Sequence, residues 1–193
     1  MRKTTLCIAL LTFAVACFVV AQNQPKKEPQ TWRERAAERF QDTPSEADKA
    51  TIEQTLPVLT KPPKKARRIR VFYRSEGFIP ASIPVGKFAM EAIAESTKGF
   101  TVDLADEYEV FTKENLAKYD AILFNNTTNL VPTAEQQEAI LDFFHSGKGI
   151  IGLHAASDNF KQWEEGLAMM GGVFDGHPWG SGGTWAFQVE DPD

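Results

Sequence analysis

Apolar and polar positions in this chain follow two periods. From residue 67 onward, short β-rich runs at Ile69–Tyr73, Phe100–Leu104, Ala121–Phe124 and Gly149–Leu153 alternate with stretches whose apolar residues recur every three or four positions. The helical stretches are Pro84–Ser96, with Val85, Phe88, Ala89, Ala92 and Ile93 on one face, and the short Thr112–Tyr119. A third opens at Thr133, where Thr133-Ala134-Glu135-Gln136 reads as a capping box, and buries Ile140, Leu141, Phe143 and Phe144. A fourth, Asn159–Met170, turns Trp163, Leu167 and Met170 inward. Strand and helix in alternation predict a parallel sheet with helices on both faces, an α/β doubly wound, mainly parallel open sheet. Ligands of such sheets gather at the carboxyl ends of the strands. The wholly apolar Gly149–Leu153 predicts a strand buried on both faces.

Before residue 67 the pattern weakens. Residues 22–66 read as a linker with a short helical segment: 22–31 has no period, while Trp32–Phe40 and Ser45–Leu56 have a thin helical one. Thr43-Pro44-Ser45-Glu46 suggests Thr43 as an N-cap with Pro44 in the first turn. Lys61–Arg68 is a stiff basic spacer without interleaved aromatics. Residues 1–21 differ again. Arg2 and Lys3 precede the apolar run Leu6–Ala21, which ends in Val19-Val20-Ala21 and reads as a cleaved signal peptide. Sixteen residues are short for a membrane span, so an uncleaved anchor is the weaker alternative, as is a lipid anchor at Cys17. Export to the periplasm or the exterior is expected, with no membrane attachment after cleavage.

That cut changes the chemistry available. Both cysteines, Cys7 and Cys17, lie in the signal, so the exported chain has no thiol nucleophile, thiolate metal site or disulfide. It also loses two cations and no acid, becoming more acidic than the formal −5 of the whole chain. An acidic chain excludes nucleic acid as the expected partner.

Three strand ends carry polar clusters: Arg74-Ser75-Glu76-Gly77-Phe78, Asn125-Asn126-Thr127-Thr128-Asn129 and His154-Ala155-Ala156-Ser157-Asp158. Each could simply cap a turn. Together on one sheet edge they suggest a ligand crevice. Gly152-Leu153-His154-Ala155-Ala156 has small residues two before and two after a central polar one, the pattern of a nucleophile elbow. Histidine at its centre can act as base, acid or metal ligand; the plainer reading is an imidazole bonded to nearby backbone. Gly171–Trp179 brings a second candidate, His177, beside Pro178. His154 and His177 with Asp158, Asp175 or Glu76 would suit a zinc-type divalent site, although no compact ligand spacing is present. His145 fits a helix C-terminus. Trp163, Trp179 and Trp185 suit either sugar stacking or core packing.

Arg74-Ser75-Glu76-Gly77-Phe78, Asn126-Thr127-Thr128, Gly152-x-His154-Ala155-Ala156-x-Asp158 and Gly172-x-Phe174-x-Gly176-His177-Pro178 together resemble the ThuA-like (trehalose utilisation) family of the class I glutamine amidotransferase-like superfamily. The resemblance spans about residues 67–193. It implies a flavodoxin-like sheet in which His154 stands where the superfamily has its cysteine, so glutaminase activity is not implied. It also implies carbohydrate metabolism, on trehalose-like glycosides or their keto derivatives. Many relatives have a histidine two residues after the Gly-Phe of the first loop; here Pro80 stands there, which weakens the case for a metal.

The expected assignment is therefore His154, His177 and Asp158 as catalytic, with Asp158 orienting an imidazole. Arg74, Ser75, Glu76, Asn126, Thr127, Thr128 and Trp179 are the expected substrate contacts, to a small-molecule carbohydrate. A noncatalytic sugar-binding or scaffold domain is the alternative. Resembling sequences continue past Asp193, so the 67–193 domain is expected to be incomplete at its C-terminus, lacking a strand and helix after Thr184–Val189.

Overall fold

The four apolar runs become β1 (Arg67–Phe72), β2 (Phe100–Ala105), β3 (Ala121–Asn125) and β4 (Gly149–Leu153). All pairings are parallel, and the strands lie in the order β2-β1-β3-β4. The structure, a computed structural model, describes residues 30–61, 63–177, 180, 182–184, 186 and 188. The signal segment and Trp179 lie outside the described residues, as does half of Thr184–Val189. No described helix is long and apolar enough to cross a membrane.

Six α-helices are described: α1 (Trp32–Ala37), α2 (Glu46–Gln54), α3 (Ile83–Thr97), α4 (Lys113–Leu116), α5 (Ala134–His145) and α6 (Glu164–Met170). Short 3-10 turns occupy Tyr108–Val110 and His154–Asp158. The period-2 alternation of the strands sorts the core into two layers. Phe72, Ile122 and Phe124 face α4, α5 and α6, joining Leu116, Ile140, Phe143 and Met169. Ile69, Val71 and Leu123 face the other way, against Met90 of α3. Helices therefore cover both faces, the doubly wound α/β arrangement of flavodoxin-like sheets.

Local signals set the helix ends. Thr133 and Gln136 form the reciprocal capping box of α5, and Thr112 accepts from the Asn115 amide at the start of α4. For α2 the cap is Ser45, which accepts from the Asp48 amide, and not Thr43. Pro44 thus precedes the cap. The buried face of α3 is also rotated from the expected one: Ile83, Gly86 and Lys87 are its buried residues, because Gly86 lets the helix press closest to β3. The helix predicted over Asn159–Met170 begins only at Glu164, after the His154–Asp158 turn and an irregular stretch.

Burial of β4 on both faces is not observed. Ile150 packs into the core, but Ile151 and Leu153 on the α3 side are 40% and 38% exposed. In the described residues β4 pairs only with β3, and α3 packs over β1, β2 and β3 without reaching it. An apolar run reports the capacity for burial; neighbours decide whether it happens.

Part of the stretch read as linker is structured against the sheet. Trp32 and Ala36 are buried with Ile79 and Ile83, and the compact unit begins at Trp32. Trp32 Nε1 donates to Asp106 at 3.0 Å, and Arg33 donates to both oxygens of the same carboxylate at 2.9 Å. Burial pushes Asp106 upward, yet hydrogen bonds from Arg33 and Trp32 and the Arg33 charge outweigh it and hold the carboxyl below 3.8. A folded-state pKa below the unfolded one contributes stability above the unfolded value and loses it as pH falls through the folded value. The docking of α1 is thus expected to loosen only in acid. The protection factors of the residue 32–37 amides, corrected for intrinsic exchange, should be high at neutral pH and fall as the pH drops below the ordinary carboxylate range; equal protection factors at both would contradict the assignment.

Candidate functional site

In the order β2-β1-β3-β4 the chain leaves β1 and β3 in opposite directions, so the crevice lies between their carboxyl ends. The two loops there are joined. The Glu76 amide donates to the Thr128 carbonyl at 2.8 Å, the Ser75 hydroxyl to the Asn126 carbonyl at 2.9 Å, and the Thr128 hydroxyl to the Phe78 carbonyl at 2.6 Å. The Thr127 hydroxyl accepts from the Asn159 amide group. Ser75, Asn126, Thr127 and Thr128 are all at most 2% exposed. Expected as substrate contacts, these four instead build the crevice floor, because buried hydroxyls and amides find protein partners. Gly77 is required here: a Cβ would lie 2.4 Å from Asn129 Nδ2.

His154 is different. The chain turns from β4 into the 3-10 segment at this residue with φ of 53°, in the left-handed region that is uncommon for residues other than Gly, Asn, Asp and His. A Cβ at Gly152 would sit 3.0 Å from Met170 Cε and 3.2 Å from Ala156 Cβ, so the small residues around the elbow do allow its close packing. The residue is exposed. Its Nδ1 lies 2.7 Å from Asn126 Oδ1. The same oxygen accepts from the Ser82 hydroxyl at 2.8 Å. Asn126 Nδ2 donates to Asn125 Oδ1 at 2.7 Å, and Asn125 Nδ2 donates to the Ile83 carbonyl at 3.0 Å. Asn126 itself has φ of 55°, which asparagine tolerates.

Asp158 does not orient this imidazole. Its carboxylate is 2.5 Å from Lys161 Nζ, and its carbonyl accepts from the Asn129 amide at 3.0 Å. Asn126 occupies the orienting position instead. His177 is exposed and rests on Phe174 with ring centroids 4.8 Å apart. Its segment is tied to the elbow turn, because the Phe174 amide donates to the Ser157 carbonyl at 2.9 Å. The described residues hold no group of three His, Cys, Asp or Glu that could ligate a metal. Of the acids offered for a zinc-type set, Asp158 is paired with Lys161 and Glu76 with Arg35 and Arg74. The described residues thus do not gather the zinc-type set that the sequence suggested.

The profile of a family described as ThuA, trehalose utilisation, matches residues 68–193. The chain belongs to the ThuA family. Among solved structures, a ThuA-like protein from Bacteroides uniformis is similar, with 22% identity and a TM-score of 0.41, over 59% of this chain. This chain spans 46% of that protein's length. No curated protein matches it.

At the crevice rim of this ThuA-family chain, Arg74 and Glu76 face each other at 2.5 Å, and each has a further partner. Arg74 reaches Glu107 at 3.1 Å and lies over the Tyr108 ring, while Glu76 pairs with Arg35 of α1 at 2.9 Å. Burial, then the nearby Glu76 charge, pushes the Tyr108 hydroxyl up to about 12, so it stays protonated at neutral pH. Sequence reading missed Arg35, Ser82 and Tyr108 as parts of this assembly, and had Asn125 only as a member of its strand-end cluster. Ser82 immediately precedes α3, yet its hydroxyl makes no cap bond and serves Asn126. Beside the elbow, a hollow of about 480 Å³ is lined by Asn129, Val131, Gln137, Lys161, Gln162 and Trp163 among others.

Proposed function

We propose that this ThuA-family chain is an exported enzyme of carbohydrate metabolism acting on trehalose-like glycosides or their keto derivatives, with His154 as its acid–base group. The observation that carries the reading is the exposed His154 on a positive-φ turn at the carboxyl edge of the sheet, with its Nδ1 against Asn126. Proton transfer to or from a sugar hydroxyl or glycosidic oxygen requires such a group, held in place but open to the substrate. The Arg74–Glu76 pair supplies polar surface for a sugar, and the hollow lined by Val131, Trp163 and Gln162 among others offers a mainly apolar face with a few amides. His177 reaches the same neighbourhood through the Phe174–Ser157 tie and is the second proposed acid–base group. Asp158 acts on the turn through Lys161. Export rests on the segment 1–21, and amino-terminal sequencing of the secreted product should begin at Gln22.

The test is turnover by the purified full chain on trehalose and 3-keto-disaccharides. His154→Ala should lose about 10²–10⁴-fold in rate. Undiminished turnover would remove His154 from the chemistry. Binding of a glycoside without turnover of any would favour the noncatalytic sugar-binding domain.

A further inference from the structure

We infer that Asn126, backed by Asn125, is a positioning residue that fixes the neutral form of His154 as the Nδ1–H tautomer, with its lone pair on Nε2. This rests on the reading of His154 as the working group, and it adds which of its two nitrogens is left for the substrate.

The direction follows from the far end of the chain of hydrogen bonds. The Ile83 carbonyl can only accept, so the Asn125 group 3.0 Å from it must be the NH₂. Asn125 then turns its oxygen toward Asn126, 2.7 Å away, and Asn126 must answer with its own NH₂. That leaves Asn126 Oδ1 pointing at His154 Nδ1, and an amide oxygen requires a donor there. Reversing any one amide would set oxygen against oxygen or NH₂ against NH₂. A buried clash of that kind costs more than an ordinary hydrogen bond contributes, since Asn125 and Asn126 are out of reach of water.

Two further features hold the relay in this register. Ser82 donates to the second lone pair of Asn126 Oδ1, so that oxygen is saturated and has no reason to turn. Gly86 of α3 packs against the Asn125 amide so closely that a Cβ there would fall 2.2 Å from Oδ1. A neutral imidazole has one donor and one acceptor nitrogen. With Nδ1–H spent on Asn126, the lone pair is on Nε2. The asparagine relay does here what a carboxylate does in acid–base triads, without placing a negative charge beside the ring.

Nitrogen-detected NMR of the ¹⁵N-labelled full chain, at a pH well above the ordinary imidazole range, reads this directly. Nδ1 of His154 should show the shift of a protonated nitrogen and Nε2 that of a bare one. A wild-type spectrum dominated by the Nε2–H form overturns the inference. Asn126→Gly keeps the backbone conformation and deletes the acceptor; the ratio of Nδ1–H to Nε2–H should fall about tenfold, the worth of one ordinary hydrogen bond. Asn126→Asp and Ser82→Ala retain an acceptor at Nδ1 and should leave Nδ1–H dominant. An Asn126→Gly ratio equal to wild type would overturn the role of Asn126. Because the wild-type spectrum decides the tautomer, a variant that fails to fold does not shelter the inference. None of these readouts needs a substrate, so a failed activity assay and a failed tautomer assignment remain distinguishable.

Discussion

Trp32→Ala is expected to lower stability by about 3–5 kcal/mol, the usual cost of deleting a large buried aromatic side chain. Trp32 is 4% exposed, packs with Ala36, Ile79 and Ile83, and donates its indole N–H to the buried carboxylate of Asp106. Alanine would leave a cavity and remove one of the donors that compensate Asp106. The remaining donors come from Arg33, whose own side chain is largely exposed. Because α1 is only six residues long and has little intrinsic helical stability, the expected response is release of the whole segment. Glu76 would then lose Arg35, and Arg74 would hold it alone. Urea denaturation and amide exchange of residues 32–37 measure the two effects. A loss below about 1 kcal/mol with α1 still protected would mean that Trp32 is not an anchor.

Gly86→Ala is expected to destabilise by about 3 kcal/mol, against the sign of helix propensity. In the interior of α3, alanine would ordinarily gain up to about 1 kcal/mol over glycine. Here the new Cβ would lie 2.2 Å from Asn125 Oδ1 and 2.8 Å from its Cγ. Asn125 is fully buried and bonded on both sides, so moving its amide breaks bonds that no water can replace. The His154 tautomer should change with it, because Asn126 would lose the partner that sets its orientation. A stabilised Gly86→Ala protein with an unchanged imidazole spectrum would show that the helix–strand contact has room to spare.

Much of the fold was legible because it depends on short-range rules. Ile69–Tyr73, Ala121–Phe124 and the capping box at Thr133 act over a few residues, and the structure follows them closely. Where α3 turns its face, a rule based on bulk misled. The residues nearest the sheet include Gly86, which the hydrophobic pattern ignores because it has no side chain. Exposure of Ile151 and Leu153 was illegible for a related reason, since it depends on which elements flank β4.

The site divides in the same way. Gly152, His154 and Ala156 announced the elbow, and His154 enters it with the positive φ that such a turn demands. The partner of His154 could not be read in advance. Asp158 is four residues away and chemically suited, but the turn directs it to Lys161, while Asn126 arrives from β3 across 28 positions of sequence. Ser75, Thr127 and Thr128 looked like ligand contacts because their types are right; burial between two loops assigned them to the floor.

By itself, then, the sequence determined the alternation of strands and helices, the family, the absence of cysteine outside the first 17 residues and the elbow that presents His154. Those properties are carried by residue type and by spacing along the chain. Only the tertiary structure decided that α1 docks and pairs Arg35 with Glu76, that Asn126 rather than Asp158 lies against the imidazole, and which strand-end polar residues are buried. Those outcomes depend on parallel strands setting distant residues a few ångströms apart, where competition among donors and acceptors selects the partners.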